Sequence, residues 1–182
     1  MLELITGPMM SGKTTELLRR LERHQIAGRS VVLLRPATDT RETLTHVARE
    51  HNIATRLVSS ADELREAAVH HDVIGIDEVQ FFGDGSGNGG EYASLINELA
   101  ARALIICSGL NATSEVEPWH TVQALIPHAD DISYMHAVCV DCGSQYASRS
   151  FYVAGKSEHV AVGGSEAYVA LCRSCYSKRL MS

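Results

Sequence analysis

The sequence predicts an α/β fold: a P-loop parallel sheet wound by helices, with a small four-cysteine zinc-binding module at the C-terminal end. Three observations predict it. Gly7-Pro8-Met9-Met10-Ser11-Gly12-Lys13-Thr14 satisfies G-x-x-x-x-G-K-[ST] between a strand-like and a helix-like segment. Short continuous apolar runs alternate with stretches of helical spacing, the pattern of parallel strands buried on both faces. Four of the five cysteines form two C-x-x-C pairs, Cys139/Cys142 and Cys172/Cys175.

The elements follow in order. Leu2 to Thr6 is a short strand, and Gly7 to Gly12 a turn-rich loop. A helix opens at Lys13, with Leu17, Leu18, Leu21 and Ile26 on one face and Gly28 as its stop. Val31 to Leu34 is a buried strand closed by Pro36, and residues 38 to 56 are polar and give no clear element. Ser60 and Glu63 form a capping box for a helix from Ala61 to Val69. Val73 to Ile76 is the next buried strand. Gly83 to Gly90 reads as a mobile loop, and Tyr92, Leu95, Ile96 and Leu99 restore helical spacing. Leu104 to Cys107 is a further strand, closed by Ser108-Gly109. The character changes between Ile132 and His136, which divides the chain into a P-loop domain, 1–134, and a cysteine-bearing module, 135–182.

Totals narrow the function classes. The 182 residues carry a net charge of -6 and 45% hydrophobic residues, so the chain affords a packed core. An acidic balance argues against a general nucleic-acid binder, which needs a basic face. No apolar run reaches membrane-spanning length, and the first residues lack the regions of a signal peptide. The expected compartment is the cytoplasm, where paired cysteines favour metal thiolates over disulfides.

The phosphate loop has a specific physical logic. Its glycines allow a tight turn whose N–H groups converge on phosphate oxygens; Lys13 adds charge at the β/γ-phosphates, and Thr14 offers a hydroxyl to Mg²⁺. The helix that follows directs its positive end at the anion. An apolar strand ending in a carboxylate should complete such a site, and Val73-Ile74-Gly75-Ile76-Asp77-Glu78 supplies two. Asp77 is the expected magnesium residue, leaving Glu78 for proton transfer.

The two C-x-x-C knuckles together make a closed tetrahedral site of four thiolates. With no open coordination position, its Zn²⁺ belongs to folding and not to chemistry. Cys107 reads as a small core residue. Between the knuckles, Val160-Ala161-Val162-Gly163-Gly164 runs into two glycines, with Tyr168 beyond. That excursion is either a loop folding over a ligand or a plain β-hairpin, and the residues leave both open.

Taken together the chain resembles the zinc-containing (type II) thymidine kinases, nearly end to end. The carriers are the phosphate loop, Asp39-Thr40-Arg41, Asp77-Glu78-Val79-Gln80-Phe81-Phe82, Gly109-Leu110, Val162-Gly163-Gly164, Tyr168 and Cys172-Arg173-Ser174-Cys175. The resemblance implies ATP and a pyrimidine deoxynucleoside as ligands, with Glu78 as the base that deprotonates the 5′-hydroxyl. It implies phosphate contacts from Gly7, Pro8, Met9, Met10, Ser11, Gly12, Lys13, Thr14, Arg41, Asp77 and Gln80, with Asp77 and Thr14 on Mg²⁺. The nucleoside would be bordered by Met9, Gln80, Phe81, Leu110 and Trp119, and gripped by a lasso-like loop through Ala161, Gly163 and Tyr168. A homotetramer, commonly inhibited by its triphosphate end product, is also implied.

The chain departs from the family pattern at Asn111, where an Asp is usual after Gly-Leu. It departs again at Ser114 and Trp119, where pocket phenylalanines are usual. These changes leave the phosphoryl-transfer residues intact and bear on the base pocket. A deoxynucleoside kinase of altered base preference, or a zinc-ribbon ATPase acting on nucleic acid, are the competing readings.

Overall fold

The computed structural model describes residues 1–39, 52–83, 88–153 and 167–181. Strand β1 (Leu2–Gly7) runs into the phosphate loop and then helix α1 (Lys13–Ile26). Strands β2 (Val31–Pro36) and β3 (Ala54–Val58) follow, then α2 (Ala61–Ala68) and β4 (Val73–Ile76). A 3-10 turn, Val79–Phe81, leads toward α3 (Gly89–Ala100) and β5 (Leu104–Leu110). Helix α4 (His120–Leu125) and edge strand β6 (Asp131–Tyr134) complete a six-stranded sheet of order β3-β2-β4-β5-β1-β6, parallel throughout. Strands β7 (Arg149–Tyr152) and β8 (Tyr168–Leu171) form a separate antiparallel pair, followed by α5 (Arg173–Leu180).

Burial explains the central elements. All four residues of β4 are buried, as are the apolar residues of β2 from Val32 to Leu34. Helix α1 covers one face with Leu17, Leu18 and Leu21, and each fully buried leucine contributes roughly 1.5–3 kcal/mol. Ile26, expected on that face, is 80% exposed because nine residues at about 100° each set it on the side opposite Leu17; Gly28 at φ 79° terminates the helix as expected. The other face carries the larger core, which joins α2, α3 and α4 through Leu64, Leu95, Ile96, Val122 and Leu125. Helix α2 has half of the expected capping box: Ser60 Oγ accepts the Glu63 N–H at 3.2 Å, while the Glu63 carboxylate accepts the N–H of Ser59, one residue before the cap, at 2.7 Å.

Several expectations change. Strand β5 extends to Leu110, so Ser108 and Gly109 lie within it. Gly89 and Gly90, read as loop, open α3, while 84–87 lie outside the described residues. Strands β3 and β6 and helices α4 and α5 were not expected. The cysteine module has its own apolar cluster, including Ala137, Ala147, Ala170, Leu171 and Tyr176. No helix among the described residues is long and apolar enough to cross a membrane.

Candidate active site

The phosphate loop is shaped by backbone conformations that its residues permit. Gly7 adopts φ 152° beside the Met135 carbonyl, which a Cβ there would meet at 2.3 Å. Met10 and Gly12 take left-handed conformations, at φ 62° and 80°, and Gly12 caps α1. Ser11 Oγ and Lys13 Nζ both donate to the Pro8 carbonyl, at 2.8 and 2.7 Å. Lys13 is buried, so its ammonium sits within the loop and not on the surface.

Asp77 and Glu78 stand where β4 ends, beside this loop. Thr14 Oγ1 donates to both Asp77 oxygens, at 3.1 and 3.3 Å, and the Ser108 hydroxyl donates to Asp77 Oδ1. The expected magnesium pair is therefore in contact, and its donor set of one carboxylate and one hydroxyl suits a hard cation. Glu78 is held at φ 52°, ψ 42°, a left-handed conformation uncommon for a non-glycine residue and often found at functional sites. Gln80, expected to border the phosphates and the nucleoside, is wholly buried. Its Nε2 donates to Glu78 Oε2 and its Oε1 accepts the Leu110 N–H at 3.0 Å.

The residues expected around the nucleoside are partly assembled. Leu110 is the register partner of Gly7 across β1 and β5. Phe81 and Trp119 meet edge to face, centroids 5.9 Å apart, and Trp119 Nε1 is buried without a hydrogen-bond partner among the described residues. Ser114 turns its hydroxyl to the Glu115 carboxylate at 2.9 Å. Tyr168 packs against Tyr152, centroids 5.1 Å apart. Arg41, Ala161 and Gly163 lie outside the described residues. Asp39, next to the Arg41 segment, is buried and paired with Arg35 at 2.7 Å.

Three contacts across the site carry no local sequence signal. Ser150 Oγ, on β7, accepts the Met9 N–H at 3.0 Å. Asn111 Nδ2 donates to the Ser148 carbonyl at 3.4 Å, and the Tyr176 hydroxyl donates to the Ser114 carbonyl at 2.6 Å. The cysteine module thus braces both the phosphate loop and the segment after β5.

The four cysteine sulfurs lie within 4.8 Å of one another, and Cys142 and Cys172 Sγ are 3.8 Å apart. A tetrahedron with metal–sulfur arms of about 2.3 Å has edges of about 3.8 Å, so the cluster fits one ion. Electrostatics agree. Against the opposing effect of burial, N–H groups of Cys172, Cys142 and Asp141 pull the Cys139 thiol down to about 6. The hydrogen bond with Cys172, then burial, pushes Cys175 up to about 12. Four sulfurs packed this closely call for a cation before all can ionise. Cys107 is fully buried, and burial raises its thiol well above the ordinary value, as fits an inert core residue.

Comparison with known proteins agrees with this geometry. A family model described as thymidine kinase matches residues 1–176. The chain is 34% identical to a thymidine kinase of Pyrobaculum aerophilum, covering 97% of this chain and 98% of that protein. It is 37% identical to one of Thermococcus kodakarensis, over 94% and 91% of the two chains. A Bacteroides fragilis thymidine kinase is 35% identical, over 98% and 88%. With its six-stranded parallel sheet, its phosphate loop and its four-cysteine cluster, the chain belongs to the thymidine kinase family.

Proposed function

We propose that this chain transfers the γ-phosphoryl of ATP to the 5′-hydroxyl of thymidine, accepts deoxyuridine as well, and serves pyrimidine salvage in the cytoplasm. The observation that carries this reading is the meeting of the phosphate loop with the two carboxylates at the end of β4. Thr14 contacts Asp77 there, and Glu78 follows in a held, left-handed conformation. In the proposed roles the Gly7–Gly12 loop binds the phosphates through backbone N–H groups, Pro8 having none and the Met9 N–H being held by Ser150, together with the Lys13 ammonium, and Arg41 assists them. Thr14 and Asp77 hold Mg²⁺, which when bound neutralises phosphate charge. Glu78 takes the proton of the attacking hydroxyl. Met9, Phe81, Leu110 and Trp119 border the base, while Ala161, Gly163 and Tyr168 close over the nucleoside. Backbone groups aimed at the O2/N3/O4 edge of thymine mismatch cytosine, so deoxycytidine is a poor substrate. A methyl group is worth only about 1–3 kcal/mol in an apolar pocket, so thymidine and deoxyuridine differ modestly.

The same reading places structural Zn²⁺ on Cys139, Cys142, Cys172 and Cys175, and divides the chain into units 1–134 and 135–182. Separate apolar clusters in the two parts support that division. The assembly is a homotetramer that binds neither nucleic acid nor membrane. Glu78→Gln tests the catalytic assignment. It keeps the shape of the side chain and removes the proton acceptor, so turnover should fall by about 10²- to 10⁴-fold with ATP binding little changed. Near-normal turnover would remove Glu78 from that role.

A further inference from the structure

We propose that Gln80 is a positioning residue for Glu78, acting on phosphoryl transfer through that carboxylate and not by touching either substrate. This rests on the reading of Glu78 as the base. The hydrogen-bond chemistry fixes the direction of the Gln80 amide. A backbone N–H only donates, so the Gln80 atom facing Leu110 N at 3.0 Å is the amide oxygen. The amide nitrogen then faces the Glu78 carboxylate and donates to its Oε2. Both ends of the amide are taken by protein groups and the side chain has no exposed surface, so no ligand reaches it as the site stands.

The fold makes room for this bridge. The chain reverses after β4 through Glu78 at φ 52° and the turn Val79–Phe81, with the Phe81 N–H donating to the Glu78 carbonyl at 3.0 Å. Gln80 therefore folds back beneath the carboxylate two residues before it. Across the bridge, Gly109 has no side chain where a Cβ would come within 2.9 Å of Gln80 Oε1 and 2.8 Å of Val79 Cγ1. Strand β5 thus holds both acids of the pair: Asp77 directly through the Ser108 hydroxyl, and Glu78 through Gln80 from the Leu110 N–H.

A double-mutant cycle of Gln80→Met and Gln80→Glu with Glu78→Gln tests this, measured as kcat and KM for ATP and thymidine with thermal melts alongside. Gln80→Glu keeps an acceptor for Leu110 but sets a second carboxylate against Glu78; combined with Glu78→Gln it restores one amide and one carboxylate across the bridge, so that double variant stays informative if Gln80→Met folds poorly. Each Gln80 change should lower kcat by about 10- to 100-fold, the upper range of coupling between hydrogen-bonded neighbours, with both KM values within about twofold. In the Glu78→Gln background the same change should cause no further loss. A raised KM with unchanged kcat, or an equal loss in both backgrounds, would overturn the proposal and make Gln80 a ligand contact or a merely structural residue. Full activity of Glu78→Gln would instead overturn the base assignment on which it rests.

Discussion

Replacing Gly7 with alanine probes the tightest backbone approach in the site. The added Cβ would sit 2.3 Å from the Met135 carbonyl oxygen and 3.1 Å from both the Met135 carbonyl carbon and Ser11 Oγ. Ordinary van der Waals contact begins near 3.4 Å, so loop and carbonyl must part by about an ångström. Met135 cannot swing aside cheaply, because its own N–H donates to the Thr6 carbonyl at 2.7 Å and continues the β1–β6 pairing. Overpacking against backbone and strain at φ 152° together cost about 2–4 kcal/mol. For a chain of this size that lowers Tm by roughly 5–15 °C. The displaced loop N–H groups should also raise KM for ATP more than KM for the nucleoside. Thermal melts followed by circular dichroism, with steady-state kinetics on the same preparation, read both effects. A variant melting within about a degree of the parent with unchanged KM for ATP would refute the reasoning.

Two further predictions follow from the cysteine module. The purified protein should carry one zinc per chain; Cys139→Ser should lose it and destabilise the module, since metal binding is coupled to folding, and metal analysis with limited proteolysis checks both effects. Ser150→Ala leaves the Met9 N–H without its acceptor at a cost of about 1–3 kcal/mol, whereas Ser150→Thr preserves the hydroxyl. The alanine variant should show a lower melting temperature and weaker substrate binding, and unchanged values would show that the brace between module and loop is idle.

What was legible in the sequence follows from how each part is buried. The central strands β2, β4 and β5 announce themselves as continuous apolar runs because both their faces are covered, and β1, interrupted by Glu3, is marked by the phosphate loop it leads into. The two strands that escaped the reading are the two edges of the sheet. In β3 only Val58 is buried, and in β6 no residue is, so neither gives an apolar run. Helix α4 spans six residues, too few to display a period. Within the site, the phosphate loop, the Asp77-Glu78 pair and the cysteine knuckles were legible because each is local in sequence. The contacts Ser108–Asp77, Gln80–Leu110 and Met9–Ser150 were not: they join residues 31, 30 and 141 positions apart, the first two brought together by the β4–β5 pairing and the third by packing of the separate β7–β8 pair on the phosphate loop.

The central claim is a reaction, and a product analysis tests it most directly. The purified protein is incubated with ATP, Mg²⁺ and, separately, thymidine, deoxyuridine, deoxycytidine and a purine deoxynucleoside, and the products are read by mass. The expected result is thymidine 5′-monophosphate and ADP in equal amounts, deoxyuridine 5′-monophosphate at a comparable rate, and little product from deoxycytidine or the purine. Release of ADP without any nucleoside monophosphate, or a preference for deoxycytidine or the purine, would contradict it.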